Sequence, residues 1–142
     1  MTTQTKGSFY AQTGPTYEGT NPSSSSNDGE IPVVFIAGAD GTFDTIDLPI
    51  TFGCSVVAAT LVSDAPGDVV IDVQLAPYAG FPGSLASICS STKPTLTSAQ
   101  AYQDTALTGW TKAVPANSVL RFIPSGVSGI QRATLTLQIT KG

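Results

Sequence analysis

The sequence predicts an all-β protein, a jelly-roll-like β-sandwich of about eight strands preceded by an extended N-terminal arm. Three observations carry that expectation. Gly (14 residues) and Pro (10 residues) punctuate a chain rich in Val, Ile, Thr and Leu, while only 11% of residues are charged. Apolar residues recur at every second position in several short runs. Turn signals separate those runs at the spacing of an antiparallel sandwich. With 142 residues the chain forms one domain and can bury roughly two-thirds of its unfolded surface.

Residues 1–30 are the arm and residues 31–142 the sandwich. Residues 8–30 read SFYAQTGPTYEGTNPSSSSNDGE, with little that could build a core. The run Ser23–Ser26 with Asn27, Asp28 and Gly29 has the composition of a hinge. Upstream, Phe9, Tyr10 and Tyr17 are spaced by Gly and Pro as pegs for a partner surface. Ordering such a segment costs roughly 1–2 kcal/mol per residue in backbone entropy, so it orders where a partner offsets that cost.

The strands follow in order. PVVFIA (32–37) is a short apolar strand and ADGT (39–42) a turn. FDTIDLPITF (43–52) places Ile46, Leu48, Ile50 and Phe52 on one face. CSVVAATLVS (54–63) has small residues facing both ways, DAPGD (64–68) is a turn, and VVIDVQLA (69–76) alternates, with Val69, Ile71, Val73 and Leu75 inward and Asp72 toward solvent. Pro82 followed by SLASICS predicts one or two helical turns, with Leu85, Ile88 and Cys89 inward. Residues 93–114 read as a loop, a polar strand and a Trp-bearing turn. SVLRFIP (118–124) and IQRATLTLQIT (130–140) are the last strands; Ala133, Leu135, Leu137 and Ile139 face in and Arg132, Thr134, Thr136, Gln138 and Thr140 face out.

Composition also excludes. The net charge of −4, with six dispersed basic residues, argues against nucleic-acid binding, which needs a basic stripe. No apolar run approaches the roughly 18 residues of a membrane span. The opening MTTQTKGSFY has no apolar signal region. Cys54 and Cys89 have no metal spacing and are expected as two buried thiols. With no histidine, the usual general base and the commonest metal ligand are missing, and no nucleophile elbow or phosphate loop appears. No enzyme, catalytic residue or cofactor is expected. Asp40, Asp44 and Asp47 form the densest acidic cluster; without EF-hand order they read as turn and strand-edge carboxylates facing water. Tyr78, Phe81, Tyr102 and Trp110 fall in or near the irregular region 77–111, where aromatic faces would form a platform for glycan or a neighbouring protein, or plug the end of the core.

Residues 47–141 resemble a small β-sandwich module of structural proteins in tailed bacteriophages. The resemblance rests on an ordered set: LPITFGCSVVAATLVSDAPGDVVIDV (48–73), YAGFP (78–82), KPTLTSAQAYQDTALTGWT (93–111), VLRF (119–122) and RATLTLQITK (132–141). Where such modules often carry a tryptophan and an Asp-bearing turn, this chain has QLAP (74–77), and Ala58 or Ala59 takes the place of a second tryptophan. The resemblance implies a virion protein made in the host cytoplasm, a homo-oligomer, by analogy a trimer. Two roles follow. One is a capsid decoration or cement protein whose arm docks on the major capsid protein. The other is a short tail-fibre or receptor-binding protein whose 77–111 face meets host glycan. A free carbohydrate-binding module is the expectation from outside the virion class.

Overall fold

The computed structural model describes residues 28–142. The expected anchors Phe9, Tyr10 and Tyr17 lie outside these residues. The regular structure of the described chain is almost entirely strand: β1 (Asp28–Ile36), β2 (Ile46–Ile50), β3 (Cys54–Pro77), β4 (Ala86–Ser87), β5 (Thr95–Asp104), β6 (Ala113–Val114), β7 (Ser118–Ser128) and β8 (Arg132–Lys141). All pairings are antiparallel, and the strands curl as one sheet around a single core. β1 starts at Asp28, so the last residues of the predicted arm are strand.

The 24-residue β3 is the spine. One of its edges carries β8 along 54–63 and then β7 along 68–77, end to end. The other edge carries β6, β5 and β4 in turn. β1 extends the sheet beyond β8, and β2 extends it beyond β7. The turn expected at 64–68 is therefore a crease inside one strand. The residues that would make a turn bend the strand instead, and the ladder shifts register between Val62 and Gly67 and between Asp68 and Val70.

The chain 128–132, joining β7 to β8, holds the crease. Asp64 Oδ1 accepts the backbone N–H groups of Gln131 at 3.0 Å and Arg132 at 3.1 Å. Asp68 Oδ1 accepts the Ser98 N–H at 2.7 Å and fixes β5 on the opposite edge. β7 and β8, consecutive in sequence, thus splay apart and pair with successive halves of β3.

Alternation places the core as expected in β8, with Ala133, Leu135, Leu137 and Ile139 buried. In β3, Cys54 and Val56 point inward, then Ala59 and Leu61; a bulge between Val56 and Ala58 absorbs the change of parity and buries both alanines. Val69, Ile71 and Val73 are buried as expected, whereas Leu75 is only half-buried. Three other details differ. β2 is confined to Ile46–Ile50, and Phe52 is exposed with the Lys141 ammonium 5.3 Å from its ring centre. Phe43 is buried and stacks on Phe35 at 5.7 Å. In place of the helix expected after Pro82 there is a single hydrogen-bonded turn, with the Ser84 N–H on the Gly80 carbonyl at 2.8 Å, and then the two-residue β4; Ile88 and Cys89 are buried through irregular chain and Leu85 is half-buried. A 3-10 turn occurs earlier, at Tyr78–Gly80.

Candidate interaction surfaces

The four aromatic candidates do not converge. Trp110 is buried, and its indole N–H donates to the Thr92 carbonyl at 3.0 Å, so it plugs the core and offers no stacking face. Tyr102, opposite Leu61 in the ladder, is half-buried against the core. Burial first, then the charge and hydrogen bond of Asp104, push its phenol up. Phe81 is half-buried under the Arg121 guanidinium, 5.2 Å from its ring centre. Tyr78 alone stands out, 70% exposed. Its backbone N–H is held by the Asn117 carbonyl at 2.8 Å. Beside it lies an apolar recess of about 220 Å3 lined by Pro49, Ile50, Thr51, Asn117 and Ser118.

The acidic cluster separates as well. Asp40 Oδ1 accepts from the backbone N–H and hydroxyl of Thr42 and closes its own turn. Asp44 is exposed. Asp47 takes a two-pronged grip from Arg121, Nε to Oδ1 at 2.7 Å and Nη2 to Oδ2 at 3.1 Å, which holds its carboxyl below the usual aspartate range. Among the described residues no group of three or more Cys, Asp or Glu side chains is placed to hold a metal ion.

Asp72, expected as a solvent-facing charge, is instead tied into a small polar network. Its carboxylate accepts from Ser87 Oγ at 2.7 Å, from Gln74 Nε2 at 3.1 Å and from the Cys89 thiol at 3.3 Å. Burial alone would raise this carboxyl; the hydrogen bonds outweigh it and hold the group low. Burial pushes the Cys89 thiol up, away from thiolate. Cys54 is likewise buried and unpaired with its thiol pushed up. These groups staple β4 and its flanks to β3.

A further continuous surface carries no residue among the candidates above. The outer face of β1, β8, β3 and β5 carries the cross-strand rows Val34–Thr134–Val62–Ala101 and Pro32–Thr136–Thr60–Gln103, without a charge in either. Val34 (53% exposed), Ile36 (70%), Val57 and Val62 all lie on β1 and β3 and are exposed. Charges appear only at the margins, Glu30 at one end and Arg132 at the other. β1 closes this face, and among the described residues no strand pairs with its far edge. The signal was present in PVVFIA. An unbroken apolar run in an antiparallel edge strand must expose every second side chain.

No helix among the described residues is long and apolar enough to cross a membrane. No known protein family, characterised protein or solved structure matches the chain.

Proposed function

We propose that this is an assembly protein of a bacteriophage virion, a decoration or cement protein seated on the capsid shell. The phage setting comes from the sequence resemblance. The observation that carries the assembly role is the uncharged, partly apolar outer face bounded by the edge of β1, which is open among the described residues. Monomers rarely leave an apolar sheet face and a strand edge open together, because both invite association. In the sequence, the polar lead with its aromatic pegs immediately precedes β1. The lead docks on the major capsid protein, and repetition by capsid symmetry multiplies weak contacts.

Quantitative mass spectrometry of purified virions tests this reading. A copy number near that of the major capsid protein supports a shell component. A few copies per particle would move the protein to the tail. Exposed Tyr78 beside its apolar recess favours that second reading, a receptor-binding or fibre protein in which the tyrosine stacks on glycan.

A further inference from the structure

We infer that the edge of β1, open among the described residues, pairs antiparallel with β1 of a second copy across a two-fold axis, joining two sheets into one. Pairing with β8 uses the main-chain groups of the odd-numbered residues; Ala37, next in that series, donates to the Gln131 carbonyl at 2.8 Å. The even-numbered residues therefore aim their N–H and C=O groups at the open edge. Pro32 agrees, since a proline nitrogen is tolerated where no ladder bond is required.

One register satisfies this edge. With Val33 on the axis opposite Val33 of the partner subunit, Pro32 faces the partner's Val34 and Glu30 faces the partner's Ile36. The N–H groups of Glu30, Val34 and Ile36 in each copy then all meet a carbonyl of the other. Pro32, which has no N–H, is the one position that gives none. Moving the axis to Val34 would leave Glu30 beyond the strand of the partner. Moving it to Pro32 would set two prolines face to face and lose the central bonds.

The side chains agree with that register. On the outer face Val34 packs against the partner's Pro32, and Ile36 lies along the aliphatic part of the partner's Glu30. The row Val34–Thr134–Val62 continues into its symmetry mate, so the stripe becomes the middle of a wider sheet. No like charges meet: Asp28 falls opposite the partner's Gly38, where the chain has left the strand. An isologous contact of this kind is self-limiting and covers an edge that would otherwise template open-ended association. It replaces the three-fold assembly implied by the family analogy, and it holds wherever the protein sits.

The test is the mass of the full chain in solution by light scattering, against concentration, for wild type and two edge variants. Val34→Pro removes an N–H left unused among the described residues, and Ile36→Lys places a charge on the stripe; neither touches the β1–β8 ladder. Wild type is expected as two chains and both variants as one, with unchanged circular dichroism. Should a variant fail to fold, hydrogen exchange on wild type decides instead: the Glu30, Val34 and Ile36 amides gain protection as concentration rises. A wild type that stays monomeric up to about 1 mM, or a trimer that both folded variants leave intact, overturns the inference. So does protection of these amides that is independent of concentration and lost on deleting residues 1–27, which would make the lead the occupant.

Discussion

Gly67 lies against the main chain of Ser128, and a β-carbon at position 67 would overlap the Ser128 carbonyl oxygen and stand 2.7 Å from Ile130 Cγ2. This contact sits where β3 changes partner from β8 to β7. It lets the chain joining those two strands tuck into the crease, and so sets how far the sheet curls.

Gly67→Ala is therefore expected to cost stability out of proportion to one methyl group. The obstruction is backbone, which cannot swing aside as a side-chain tip would, so the loss falls in the overpacking range of about 1–3 kcal/mol. Gly41, with nothing within 4 Å of its β-carbon position but a φ of 79°, is the control for backbone freedom without crowding. Urea unfolding of the alanine variants at both positions checks this. A Gly67→Ala protein as stable as wild type would mean that the crease is not held by this contact.

Asp64 gives the same crease a pH dependence. Its carboxylate accepts the N–H groups of Arg132 and Gln131, and these hold its pKa below the ordinary 3.8. A carboxyl depressed in the folded state stabilises the fold fully above its unfolded value. That contribution is lost as pH falls through the lowered folded value. Asp47, held by Arg121, acts in the same direction. Wild type is expected to weaken as pH drops below about 4. Asp64→Asn should lower the midpoint at pH 7 and make the acid limb shallower. Thermal melts from pH 7 to pH 2 read both effects, and parallel curves for the two proteins would remove Asp64 from the account.

The crease also marks where sequence reasoning stops. Clean alternation in 130–140 made β8 legible, because one face meets the core and the other meets water. DAPGD carries ordinary turn chemistry, and the same residues serve a bend within a strand. The choice is made by residues 128–132, far away in sequence, which hydrogen-bond Asp64 and press on Gly67. Trp110 and Tyr78 were indistinguishable as candidates, since an aromatic ring suits a core plug and a surface platform equally. The fold separates them, burying Trp110 with its N–H on the Thr92 carbonyl and leaving Tyr78 in water. Asp72 differs from its expected place in water for a related reason: alternation gives a side chain's face, not whether Ser87 and Cys89 will cover it.

The two cysteines supply a direct probe of packing. Both are buried, and burial pushes both thiols up. Thiolate is the reacting form, so neither should react with a thiol reagent in the native protein at pH 7.5, and both should react in urea. Cys89 should be the slower of the two under partly native conditions. Its sulfur accepts the Val73 N–H and donates to Asp72, so exposing it requires releasing β4 from β3. Fast labelling of Cys89 ahead of Cys54 would contradict that order.

Trp110 and Tyr78 make opposite predictions from the same residue class. The single tryptophan is buried with its N–H satisfied, so its native emission should be blue-shifted and move to the red on unfolding. Trp110→Ala leaves a large cavity and orphans the Thr92 carbonyl, with an expected cost of about 3–5 kcal/mol. Tyr78→Ala removes a side chain that water already surrounds, and its cost should lie within about 0.5 kcal/mol. Tyr78 can therefore be replaced to test glycan contact without unfolding the protein, whereas loss of binding in a Trp110 variant would report only the loss of the fold. Glycan-array binding by wild type that disappears in folded Tyr78→Ala would favour the receptor-binding reading. Equal silence from both proteins leaves the outer face of β1, β8, β3 and β5 as the working surface.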